Sequence, residues 1–96
     1  MMKSYEGMII IKPNLKEEDE KAVFNGIIQT ITGNGGRLKD SQMWAKQHHL
    51  AYSIAKYKEG TYYSIHFEIE PQALLKLKQI FRLNENILRV LITKVK

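Results

Sequence analysis

The stretch "GTYYSIHFEIE", residues 60 to 70, alternates with a period of two. In an extended chain successive side chains leave the backbone on opposite sides. Tyr63, Ile65, Phe67 and Ile69 therefore share one face, and Tyr62, Ser64, His66 and Glu68 share the other. The first face is a core face. The rest of the chain must supply the partner strands and the layer that covers it.

Those pieces follow in order. "YEGMIIIK", residues 5 to 12, is a β-rich run with Gly7, Ile9 and Ile11 on one side and Met8 and Ile10 on the other, stopped by Pro13. Asn14 then stands as a cap with Glu17 three residues on, and Val23, Phe24, Ile27, Ile28 and Ile31 recur at helical spacing until Gly33 to Gly36 close the segment. The acidic run Glu17 to Glu20 lies in the first turn, where the helix dipole favours carboxylates, and successive residues fan around the axis too widely to gather a metal. "RLKDSQMWAKQHHLAYSIA" reads as an irregular second strand, joined by the short connection "KYKEG" to the alternating third as a hairpin. Pro71 opens a second helix that carries Leu74, Leu77, Ile80 and Phe81. A last strand puts Leu88, Val90 and Ile92 on one side and Arg89, Leu91 and Thr93 on the other.

The order βαββαβ is the split βαβ unit used twice, an α+β, ferredoxin-like sandwich. Right-handed crossovers predict a four-stranded antiparallel sheet in the order 4-1-3-2 with both helices on one face. Met8, Ile10, Tyr62 and Leu91 are then expected on the helix-free face, as an apolar patch with basic residues around it. That patch is either a binding surface or a place where Tyr62 lies flat over its neighbours. Strand four beside strand one brings Lys94 and Lys96 near Lys3.

Ninety-six residues, 44% of them hydrophobic, fit a single domain over 1–96 with one core. No apolar run reaches membrane-spanning length and the first residues lack a secretory pattern, so the expectation is a cytoplasmic protein with no membrane partner. The absence of cysteine removes disulfides, thiolate metal sites and thiol nucleophiles together. Residues 1 to 70 carry nine Lys or Arg against nine Asp or Glu, whereas the remainder carries six against Glu85 alone. The whole excess of +5 thus sits in the C-terminal quarter. Such a surface is either a solvated face or one drawn to a polyanion, whose condensed counterions are released on binding.

"MKSYEGMIIIKPNL", Trp44 followed by "LAYSIAKYKEGTYYSIHFE", and "FRLNENILRVLITK" together resemble the bacterial small-subunit ribosomal protein six family over nearly the whole chain. The most specific pieces are Leu50-Ala51-Tyr52 with Ile54 and Lys56, and Arg82-Leu83-Asn84-Glu85 leading to Ile87-Leu88-Arg89. The resemblance implies a structural protein that binds small-subunit ribosomal RNA in the central domain, together with ribosomal protein eighteen, during assembly. Carried over by position, its RNA-binding residues fall on Lys3, Lys46, Tyr52, Lys56, Arg82 and Arg89. Lys94, from the charge pattern, joins them as a phosphate contact, and Trp44, His48, His49 and Tyr62 form the expected partner-protein surface. The chain departs from the family at Ser53, where a proline is usual, at Leu88, where one of two arginines is usual, and at His48 and His49, where the family is basic.

Adjacent strand residues face opposite ways, so His48 and His49 do not both ligate one ion without a bulge, and a zinc site gathers three or four ligands. A catalytic histidine needs a positioned nucleophile or carboxylate, and neither Ser53 nor Asp40 stands at a recognisable spacing. RNA contact and a half-exposed edge strand both remain open for this pair. An RNA-recognition motif lacks its basic residue and glycine in "GTYYSIHF". An acylphosphatase-like site would meet acidic residues in "IKPNLKEED" where it needs a phosphate cradle. The expectation is an assembly protein with no catalysis, cofactor, metal or small-molecule substrate. Its rival is a protein-interaction or general single-stranded RNA-binding module of the same fold outside the ribosome.

Overall fold

A computed structural model gives β1 (Lys3–Ile11), α1 (Glu17–Gly33), β2 (Arg37–Ile54), β3 (Tyr57–Ile69), α2 (Pro71–Leu83) and β4 (Ile87–Lys94). The structure describes residues 1–54 and 56–95, without the side chains of residues 44–49, 51 and 52. The strands form one antiparallel sheet in the order β2-β3-β1-β4, which is the predicted order read from the other edge.

Period-two alternation decides which face each strand buries. Tyr5, Ile9 and Ile11 of β1 and Tyr63, Ile65, Phe67 and Ile69 of β3 meet Val23, Ile27 and Ile31 of α1 and Leu77 and Phe81 of α2 in one core. Both helices therefore cover the same face. Phe24 stacks on Tyr63 with ring centroids 4.9 Å apart, which closes the core beneath α1. A polar contact crosses the same layer: the Tyr63 hydroxyl donates to Glu20 Oε1 at 2.8 Å. Burial, and then the Glu20 carboxylate, push the Tyr63 phenol well above its ordinary range. Glu20 is thus an anchor between helix and sheet, a role that the dipole reading of the acidic run does not contain.

Other local expectations need correction. α1 begins at Glu17 with Lys16 as its cap residue and no side-chain cap. Asn14 instead takes a left-handed φ of 62° in the turn after Pro13, a conformation asparagine tolerates because its side chain bonds locally. The far end agrees with the sequence. Gly36 N–H donates to Ile31 O and Gly35 N–H to Thr32 O, with Gly35 at φ 84°, a Schellman ending that uses the glycine freely.

The hairpin between β2 and β3 is tighter than "KYKEG" suggests, because Ile54 already pairs with Tyr57. Gly60 lies inside β3, where a Cβ would come within 2.5 Å of Ile10 Cγ2, so the glycine is kept for close approach rather than for a turn. β1 pairs with β3 only as far as Ile11 opposite Thr61, so residues 57 to 60 extend with β2 as a two-stranded arm. In β4 a register shift falls between Ile10 and Ile11 of its partner β1, opposite Arg89 and Ile87 respectively. Leu88 is the extra residue, and Ile87 rather than Leu88 fills the core.

Candidate nucleic-acid interface

The helix-free face carries the even-numbered side of β1 and β3. Met8 and Tyr62 are half-buried there and Leu91 is 54% exposed, as expected. Ile10 differs. It is buried, and so is Leu50; both lie against Gly60, and both stand apart from the main core cluster. The predicted apolar patch is therefore smaller, since part of it is satisfied internally.

Its surroundings differ too. At the end of the sheet away from the β2–β3 hairpin, register puts His66 between Glu6 of β1 and Asp40 of β2. His66 Nδ1 lies 2.6 Å from Asp40 Oδ1, and Nε2 lies 2.9 Å from Glu6 Oε2. The hydrogen bond to Asp40, and then that to Glu6, raise the His66 pKa above its ordinary value against a smaller opposing effect of desolvation. Glu68 follows on the same strand, 3.7 Å from the Lys39 ammonium. The open face thus carries an acidic cluster at this end, where a basic surround was expected. Sequence spacing hides it: Asp40 and His66 are 26 positions apart, and the register between β2 and β3 shifts just before Asp40.

The basic residues fall into separate groups. Lys3 opens β1, Lys94 closes β4, and both line one hollow of about 510 Å³ with Lys39, Asp40 and His66. The expected approach of Lys94 to Lys3 is present, and Lys96 lies outside the described residues. Arg89 sits on β4 opposite Ile10, five residues from Lys94, or about 16 Å along the strand. Arg82 is exposed in the last turn of α2, on the helical side. Lys56 is exposed in the connection between β2 and β3 with φ 72°. One phosphate does not touch all of these. By register Lys3 and Lys94 share the side of Ile69 and Tyr5, whereas Arg89 shares the open face with Ile10. Trp44, Lys46, His48, His49 and Tyr52 belong to β2, and their side chains lie outside those described. Tyr62 stands on the open face between Ile10 and Ala45.

Among the described residues no group of three or more His, Cys, Asp or Glu side chains is arranged to hold a metal, and no helix is long and apolar enough to cross a membrane.

Comparison with known proteins agrees with this architecture. The family model described as Ribosomal protein S6 matches residues 4–94. The small ribosomal subunit protein bS6 of Helicobacter acinonychis is 38% identical over 93 residues, which is 97% of this chain and 65% of the relative. This chain therefore spans just under two thirds of that relative's length. The bS6 protein of Moorella thermoacetica is 32% identical over 94 residues, covering 98% of this chain and 95% of the relative. Among solved structures, 30S ribosomal protein S6 from Thermotoga maritima superposes with a TM-score of 0.90 at 27% identity, over 99% of this chain and 89% of that one. A chain from a chemotaxis kinase domain bound to its response regulator, also from Thermotoga maritima, shares the fold alone, with a TM-score of 0.60 at 16% identity.

Proposed function

The chain belongs to the ribosomal protein S6 family, and on that premise we propose that it is one ferredoxin-like domain over residues 1–96 acting as a structural constituent of the small ribosomal subunit. The family is structural rather than enzymatic, and its place is the cytoplasmic ribosome. In this reading the chain binds central-domain ribosomal RNA together with ribosomal protein eighteen and supports subunit assembly and translation.

The observation that supports the RNA reading is the presence of Lys3 and Lys94, from the first and last strands, at one hollow of a chain whose residues 4–94 match this family. Lysine and arginine contacts to phosphate fix orientation and make binding salt-dependent. Lys3, Lys94, Arg82 and Arg89 take that role, with Lys46, Tyr52 and Lys56 along β2 and the tip of the arm. The partner protein docks on the open face and the β2 edge through Trp44, His48, His49 and Tyr62, where an edge strand offers unpaired backbone groups.

The test is binding of the purified chain to a central-domain RNA fragment at two salt concentrations, with and without ribosomal protein eighteen. Binding that needs the partner and weakens with salt supports the reading. Tight, partner-independent binding to arbitrary single strands would instead mark a general RNA-binding module.

A further inference from the structure

α2 buries Leu77 and Phe81 in the core, yet its opposite side is not wholly polar. Leu75 is 65% exposed and Leu83 82% exposed, and neither packs against the core. With Gln79 between them they stand at i, i+4 and i+8, which is one row along a helix, about 12 Å from end to end. This is a second apolar row, distinct from the one that the fold uses.

Cations flank the row on both sides. At about 100° per residue Lys76 stands on one flank and Lys78 and Arg82 on the other, and all three are exposed. The helix has no acidic residue between Pro71 and Leu83, and among the described residues none of these three cations is ion-paired. Of the acidic residues at its ends, Glu70 is held by the amino-terminal ammonium at 2.9 Å and Glu85 lies beyond the C-terminal cap. One exposed leucine or one solvated lysine is ordinary. Two leucines on one helical row, walled by unpaired cations, form a surface that solvation alone does not explain.

We propose that the outer face of α2 docks an acidic amphipathic helix of another protein, whose apolar row packs against Leu75 and Leu83 and whose carboxylates meet Lys76, Lys78 and Arg82. A helix fits because a straight i, i+4 ridge enters the groove between the equivalent ridges of a second helix. Leucine offers a nucleic-acid base neither a hydrogen bond nor an aromatic plane, and the one aromatic residue of α2, Phe81, is buried. A second copy of this chain is a poor match. α2 against α2 sets lysine against lysine, and the exposed positions in the middle of α1, Lys21, Ala22, Asn25 and Gln29, include no large apolar side chain. The face lies on the helical side, away from the open sheet face, and of the residues given an RNA role only Arg82 belongs to it. The inference therefore goes beyond the RNA reading and does not rest on it.

The test uses the full chain and a labelled synthetic helical peptide with leucine at i, i+4 and i+8 flanked by glutamate. A second peptide with lysine in place of every glutamate is its control. Fluorescence anisotropy should show saturable binding of the glutamate peptide that weakens with salt, with the lysine peptide weaker by about tenfold or more. Leu75→Ser and, separately, Lys76→Glu with Lys78→Glu should each weaken the glutamate peptide on the order of tenfold. These sites are exposed, so thermal melts should be unchanged, and so should binding of the central-domain RNA fragment with ribosomal protein eighteen. No saturable binding, equal binding of the two peptides, or binding that ignores Leu75→Ser overturns the proposal. Weaker RNA binding by the double lysine variant, with peptide binding unchanged, assigns the face to nucleic acid and overturns it as well. Self-association that Leu75→Ser abolishes in sedimentation, with no peptide binding, assigns the face to a second copy and has the same consequence.

Discussion

Replacing Tyr63 by Phe removes one oxygen and keeps the ring that stacks on Phe24, so it isolates the bond that ties α1 to the sheet. The hydroxyl donates to Glu20 Oε1 at 2.8 Å, and Glu20 is only 9% exposed. A hydrogen bond to a charged acceptor contributes about 1.5–3 kcal/mol, and its loss leaves a largely buried carboxylate short of a donor. We expect Tyr63→Phe to destabilise the chain by about 2 kcal/mol and to lower Tm by about 10 °C for a domain of this size. Urea denaturation gives the free energy directly, and a double-mutant cycle with Glu20→Gln should show coupling of about 1 kcal/mol or more. Removing both polar groups as Glu20→Leu with Tyr63→Phe should recover part of the loss, because two apolar partners leave nothing unsatisfied. The pH arm has a fixed sign. The folded phenol has the raised pKa, so its contribution is complete below the ordinary value of 10.0 and disappears as pH climbs toward the folded value. Alkaline unfolding should therefore shift in Tyr63→Phe. A destabilisation below about 0.5 kcal/mol with no coupling would refute the reasoning and reduce the pair to a coincidence of packing.

Further outcomes follow from the same geometry. Arg89→Ala should weaken RNA binding and make its salt dependence shallower by roughly one counterion, and an unchanged affinity and slope would remove Arg89 from the interface. Gly60→Ala should cost about 1–3 kcal/mol in urea unfolding, since the new methyl meets Ile10 Cγ2 at 2.5 Å and Ile11 O at 3.4 Å. Gly35→Ala meets open space yet forces φ 84° on an L side chain, and should cost about 1 kcal/mol. His66→Gln should remove a pH-dependent part of stability. The folded pKa is raised, so the contribution is present below the ordinary 6.5 and is lost as pH rises through the folded value.

The alternation of "GTYYSIHFEIE" and the helical spacing of Val23, Ile27, Ile31, Leu77 and Phe81 made the faces, layers and strand order legible, because each depends on a local period. What escaped depends on meetings between distant residues. Glu20 sits in an acidic run that the helix dipole already explains, so nothing local distinguishes it as the partner of a tyrosine 43 positions away. Lys39 and Leu88 lie at bulges, where a strict count of two puts a side chain on the wrong face. Asn14 after Pro13 carries the same letters as a helix cap and a tight turn, and only the backbone path chooses between them. Gly60, next to turn residues, resembled a turn glycine until Ile10 was seen crossing it. Topology alone brings Lys94 to the same end of the sheet as Lys3, whereas the meeting of His66 with Asp40 and Glu6 follows only from the register.

The interior position of β1 has a consequence in time. Its neighbours on both sides are made later, β3 from residue 57 onward and β4 last, with Tyr5 pairing Lys94 across 89 positions of chain. At about 5–20 residues per second of synthesis, the first strand waits several seconds or more with both edges bare. The helices and the β2–β3 hairpin close over short loops meanwhile. Growth from the amino end therefore makes β3 available to one side of β1 first, and the other side stays open until the edge strand β4 has left the tunnel. An emerging chain of this protein passes through a stage in which "MIII" is its most exposed sticky segment, and protection of that segment by a chaperone should end abruptly as β4 appears.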